Sequence, residues 1–97
     1  MLDYITIDDS LICVFSGRLD TVDTGKIENE LLDKIQHCGM KVIFDFSKLE
    51  YVASMFLRLS VKAARITGAN KIKVIHASDD IKHIFTMTGF DKLMDIE

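Results

Sequence analysis

The side chains able to do chemistry are few and scattered. Three histidines, His37, His76 and His83, fall at a predicted helix end, at a strand end and on a further helix. Their spacing is not that of a metal-ligand set, and a histidine needs a positioned partner before it can act as acid or base. The adjacent carboxylates Asp8–Asp9 and Asp79–Asp80 fit a turn and a helix start, where carboxylates are solvated, and no calcium-loop spacing surrounds them. Cys13 lies in an apolar run and Cys38 in "HCGM"; they form no CxxC pair, and no second pair completes a zinc site. Both read as buried or partly buried thiols. No GxSxG, P-loop or GxGxxG occurs, and the glycines are too dispersed to cradle a phosphate. No catalytic residue, cofactor or metal site is expected, and nothing argues for an enzyme.

What remains informative is one junction, "VIFDFSKLEYVASMFLR", residues 42–58. It reads as strand, turn and helix, and the carboxyl end of a parallel strand is where α/β folds place function. Its helix begins with two large apolar residues, Met55 and Phe56. Either they belong to the core or they form a surface for another protein. Adjacent helical positions point about 100° apart. Both can hardly be buried along with a stripe made of Ala53, Leu57, Val61 and Ala64, so at least one is expected to be exposed. The helix start also offers unpaired N–H groups and a positive dipole end that would stabilise an anion.

The elements that position this junction follow from periodicity and punctuation. "YITI" and "LICVFSG" read as two strands joined by a tight turn at Asp8–Ser10. The second is nearly continuous in apolar residues, as for a strand covered on both faces. Gly17 ends or bulges it. "TVDTGKIENELLDKIQHCG" is a helix with Thr21 or Asp23 as cap, an apolar stripe at Ile27, Leu31, Leu32 and Ile35, and Gly39 as its stop. "KVIFDF" is a strand, 53–67 a second helix ended by Gly68, and "KIKVIH" a strand. "SDDIKHIFTMTG" is a third helix capped by Ser78, with Ile81, Ile84, Phe85 and Thr88 facing inward and Gly89 closing it. "KLMDIE" is a terminal strand. The order β-β-α-β-α-β-α-β implies one α/β domain over 1–97. Its sheet is mixed and mostly parallel, with right-handed crossovers.

Composition narrows the function classes. Ninety-seven residues make one domain, with enough apolar content, 48%, for a core without staples. Net charge is −3 with both signs interspersed, and no basic run marks a nucleic-acid or anionic-lipid partner. No apolar run approaches the roughly 20 residues of a membrane span. The first ten residues lack the basic and apolar regions of a signal peptide. A cytoplasmic location follows by default.

Three stretches together resemble the STAS domain family, and within it the bacterial anti-sigma factor antagonists, or anti-anti-sigma factors. "FSGRLD", residues 15–20, resembles the family's L-x-G-x-L-D strand end. Residues 41–59, "KVIFDFSKLEYVASMFLRL", resemble its D-h-S segment followed by D-S-S-G-L, where h is apolar. "IKHIFTMTGFDKLMDI", residues 81–96, resembles its closing T-G-L segment. The resemblance implies a non-catalytic regulator of transcription. Such a protein binds an anti-sigma factor, often a serine kinase with a histidine-kinase-like ATPase fold, and so releases a sigma factor. In the family that kinase phosphorylates the second serine of D-S-S-G, and the phosphate repels the partner. Matched to that motif, Ala53 stands at the aspartate, Ser54 at the first serine, Met55 at the phosphorylated serine and Phe56 at the glycine. Methionine accepts no phosphoryl group, so the usual switch is expected to be lost. Ser54 keeps a hydroxyl and is the remaining phosphorylation candidate, with capping of the helix as its bland role.

Taken together, Asp20, Thr21, Ser54, Met55, Phe56, Arg58 and Lys62 are the expected partner contacts. The first two come from the "GRLD" match beside the same sheet edge. Two other classes stay open. One is a scaffold or accessory subunit that pairs with other STAS domains in a larger signalling or transport complex. The other is a small-ligand sensor or enzyme, which only the anion-friendly helix start supports.

Overall fold

A computed structural model describes residues 1–68 and 71–97. Five strands form one sheet in sequence order: β1 (Leu2–Ile7), β2 (Ser10–Leu19), β3 (Lys41–Val52), β4 (Ile72–Ile75) and β5 (Asp95–Ile96). β1 and β2 are an antiparallel hairpin closed at Asp8–Asp9, where Asp8 takes φ 54°, a left-handed conformation that aspartate tolerates. The other neighbours are parallel. Between them run α1 (Thr21–Cys38), α2 (Ser54–Thr67) and α3 (Asp79–Met87), and a 3-10 turn at Phe90–Lys92 precedes β5. Right-handed crossovers between strands laid down in order put all three helices on one face. Packing agrees: Phe46 of β3 meets Phe56 of α2 and Phe85 of α3, each at 5.9 Å between ring centroids.

The core lies between that face and the helices. Leu11, Cys13 and Phe15 of β2, Val42, Phe44 and Phe46 of β3, and Ile72 and Val74 of β4 are all buried. Alternation along each strand sends the intervening residues to the opposite face, where no helix lies. There Ile12, Val14, Ile43 and Ile75 are only half-buried. The expectation that "LICVFSG" is covered on both faces is therefore corrected. A sheet with every crossover of one hand in one direction is covered on a single side.

β3 is twice the length expected from "KVIFDF". It continues through "SKLEYV" beside the far half of β2, with register shifts between Val14 and Ser16 and between Gly17 and Arg18. Gly17, at φ 79°, supplies a left-handed conformation at the second shift. These bulges spoil the simple alternation that marks a strand, which is why the segment reads as a turn. α1 is capped by Asp20, whose carboxylate accepts the Asp23 N–H at 2.9 Å, and neither Thr21 nor Asp23 does so. Ser78 caps α3, accepting the Ile81 N–H at 3.2 Å. Thr88 of the expected inner face is exposed.

α2 is rotated relative to the expected stripe. Its buried residues are Phe56, Leu59, Ser60, Ala63 and Ala64, while Ala53, Leu57 and Val61 are half-buried. The Ser60 hydroxyl donates to the Phe56 carbonyl at 3.0 Å, so a polar residue sits on the inner face at no cost in unpaired groups. A stripe built on small Ala53 loses to one built on Phe56, because burying a phenyl ring removes far more apolar surface from water.

Candidate functional site

The junction between β3 and α2 is held by the sheet itself. Leu19 pairs with Val52, and the Ala53 N–H donates to the Leu19 carbonyl at 2.9 Å. The carboxyl ends of β2 and β3 are thus clamped together, and the two helices that leave them, α1 and α2, start side by side. Asp20 and Thr21 on one, and Ser54 and Met55 on the other, therefore stand at one end of the molecule.

Ala53 is the cap of α2, in extended conformation and with no side-chain hydrogen bond. Ser54 is the first helical residue and is exposed, so the expectation that it caps this helix is corrected. Among the described residues its hydroxyl has no hydrogen-bond partner, and the first turn contains no acidic residue.

Met55 and Phe56 separate. Phe56 is wholly buried against Phe15, at 5.1 Å, and Phe46. It is core, and its place among the partner contacts is corrected. The ring needs a deep slot and finds it only on the sheet side. Met55 is half-buried and lies against Gly25 of α1. A methyl built on Gly25 would stand 3.8 Å from its terminal carbon. Arg58 is exposed. Lys62 is exposed too, but its ammonium pairs with Glu28 of α1 at 3.2 Å, lacing the two helices together.

Two neighbours escape a reading confined to motifs. Val22, in the first turn of α1, is 65% exposed. Tyr51, just before the junction, is exposed with the Arg18 guanidinium 4.5 Å above its ring. The "GRLD" and "EYVAS" segments contain both residues, but only the bulged pairing of Arg18 with Tyr51 shows that they stack. The end of the molecule therefore carries Val22, Met55 and Tyr51 as apolar surface, with Arg18, Arg58 and Asp20 around them. Aromatic residues, methionine and arginine are the types enriched in protein interfaces.

The remaining chemistry-bearing groups are dispersed. His37 bonds within its own helix, through Nδ1 to the Asp33 carbonyl at 3.0 Å. Among the described residues no three of His, Cys, Asp or Glu are placed to hold a metal ion, and no helix is long and apolar enough to cross a membrane. Cys13 is buried, and burial first, with Cys38 second, pushes its thiol up to about 12. Such a thiol is a poor nucleophile.

The profile of the STAS domain matches residues 2–97. This chain belongs to the STAS domain family. Solved structures superpose along nearly its whole length. An anti-sigma factor antagonist from Mycobacterium paratuberculosis aligns with a TM-score of 0.86 at 17% identity, covering 99% of this chain and 83% of that one. The anti-sigma factor antagonist SpoIIAA in its unphosphorylated form aligns at 0.80 and 16% identity, covering 100% of this chain and 88% of that one. The Bacillus protein in its phosphorylated form aligns at 0.74 and 16%, covering 100% and 91%. At such identities the likeness establishes the shared fold. Comparison with curated proteins by sequence gives no match.

Proposed function

We propose that this STAS domain is a non-catalytic anti-sigma factor antagonist. In this reading it docks an anti-sigma factor of the serine-kinase type with the end of the molecule formed by the starts of α1 and α2, and so releases a sigma factor. The observation that carries the reading is Met55: a half-buried, polarisable side chain at the start of α2 that lies against Gly25 of α1, at the position the family match gives to the phosphorylated serine. A methionine there offers no hydroxyl, so the contact is not released by phosphorylation at that position. Asp20, Thr21, Ser54 and Arg58 ring it, and Val22 and Tyr51 extend it.

The test is a titration of the purified domain with its anti-sigma factor. Met55→Asp is expected to weaken binding more than about tenfold, because an unpaired charge in an interface is costly. The domain should stay folded, since an acidic residue in a first helical turn is favourable. Unchanged affinity of the folded variant would refute the reading. Incubation with the kinase and ATP should leave the intact mass unchanged, and one added phosphoryl group mapped to Ser54 would move the switch there.

A second reading, an accessory STAS subunit of a larger signalling or transport complex, rests on the same apolar surface. Partner dissociation within minutes favours the regulator, and a complex that survives prolonged dilution favours the accessory subunit.

A further inference from the structure

The sheet face turned away from the helices has an order of its own. In register across the strands, its central row is Ile5, Ile12, Ile43 and Lys73. Ile5 is 47% exposed, and Ile7, one row out, is 54% exposed. Beyond the central row on one side stand Ser10 and Lys41, beside a shallow depression of about 520 Å³ that Lys71 and Lys73 also line. Beyond it on the other side stand Asp3, Val14, Asp45 and Ile75. Isoleucines thus occupy the middle on β1, β2 and β3, with Lys73 ending that row on β4, while Lys41 lies toward one end of the strands and Asp3 and Asp45 toward the other.

We propose that this face binds a second copy of the chain, sheet against sheet, about a two-fold axis that crosses the strands over Ile43. That axis reverses the strands. It lays Lys41 of each copy on Asp45 of the other, while Ile12 and Ile43 meet their own images. A two-fold contact must be self-complementary, and opposed charges flanking an apolar centre meet that condition only in this orientation. An axis along the strands would put lysine on lysine. Lys41 has no carboxylate within salt-bridge reach among the described residues, so it brings an unspent charge. Asp45 accepts the Ser47 N–H with one oxygen, at 2.9 Å, and keeps the other for a partner. Lys73 would approach its own image, but Glu97 at 2.9 Å already neutralises it. Sheets packed face to face lie about 10 Å apart with strands aligned to within about 30°. Four strands about 4.8 Å apart, about 20 Å long on β1 to β3 and about 13 Å on β4, offer roughly 350 Å² per copy, below the size of a stable interface, so the dimer is weak and reversible. The face lies opposite the helices, so both partner-docking ends stay accessible, pointing in opposite directions.

Sedimentation equilibrium up to about 1 mM protein tests this, the range in which a contact of such small area forms. The expected result is a reversible rise from 11.0 kDa toward twice that mass, weakened by added salt. Lys41→Asp alone and Asp45→Lys alone are each expected to weaken dimerisation at least about tenfold, since each sets like charges together. Their equimolar mixture should dimerise again, because each copy then supplies the charge the other needs. Circular dichroism establishes that the variants are folded, and Ile12→Lys serves as the probe should Asp45→Lys fail to fold. A chain that stays at 11.0 kDa throughout, a dimer untouched by Lys41→Asp or Ile12→Lys, or a mixture that does not recover would overturn the proposal. None of these outcomes bears on Met55 and the anti-sigma factor.

Discussion

Beneath α2, Phe15, Phe44, Phe46 and Phe56 are withdrawn from solvent, with ring centroids 5.1 to 6.3 Å apart. At the amino end of the same helix, one residue away from Phe56, the side chains are half-buried or exposed, and Met55 lies near Gly25 of α1. The first region is a close-packed solid in which each ring's position constrains the next. The second is a surface whose shape depends on a flexible methionine and a few polar neighbours. The difference separates the residues that hold this fold together from those it displays at the helix start. The backbone that presents the surface is held by the ring cluster and by the Leu19–Ala53 hydrogen bond, not by the residues displayed.

Substitution within each region should make that difference measurable. Phe56→Ala empties the centre of the ring cluster and is expected to cost about 3–5 kcal/mol, seen as a lower urea midpoint with an unchanged slope. Met55→Ala should cost about 1 kcal/mol by the same measurement, because only part of its surface is covered. Equal losses at the two positions would mean that the surface is part of the core.

The covered region should also respond to alkali where the surface does not. Cys13 is raised from 9.0 to about 12. The unfolded thiol therefore ionises first, and the unfolded state holds fewer protons between these values. Stability is complete below about pH 9 and falls as pH climbs toward 12, by roughly a few kcal/mol at 1.36 kcal/mol per unit. Tyr4 is raised as well, by burial first and by the Glu30 and Cys13 charges after it, and steepens the fall above its ordinary range. Cys13→Val should flatten the first part of that curve, as read from chemical denaturation in a pH series. A wild-type curve that is flat from pH 9 to 11 would mean that the thiol is hydrated.

Much of this architecture was legible in the residues. The element order, the hairpin at Asp8–Asp9, the Ser78 cap and the family resemblance all rest on local signals, and the structure agrees with each. The misreadings share a cause: they concern how an element is turned or extended by its neighbours. Ala53, Leu57 and Val61 make as regular a stripe as Phe56, Leu59 and Ala63, and only the ring slot in the sheet chooses between them. "SKLEYV" becomes strand because β2 runs beside it through two bulges, a long-range pairing with no local signature. The site shows the same division. Ser54 and Met55 could be placed by motif, whereas Val22 and the Arg18–Tyr51 stack emerge only from the assembled sheet end.

Capping offers a subtler comparison of the two helix starts at the site. α1 begins at Asp20, with its carboxylate bonded to the Asp23 N–H, and α2 begins at Ala53 with no such bond. Asp20→Ala should therefore cost about 1 kcal/mol by urea unfolding, while Thr21→Ala stays within about 0.5 kcal/mol.

The smallest effect belongs to Ser54→Ala. Ser54 is exposed, is already inside the helix and satisfies no backbone donor, so removing its hydroxyl should move stability by less than about 0.5 kcal/mol. A loss near 1 kcal/mol would mean that the serine side chain turns back to cap α2 in solution, and that the first turn is wound one residue differently. Such rewinding would carry Met55 away from Gly25 and unmake the surface on which the partner reading stands. A nearly silent Ser54→Ala together with a disruptive Met55→Asp would instead place recognition on the thioether and leave the neighbouring hydroxyl a bystander.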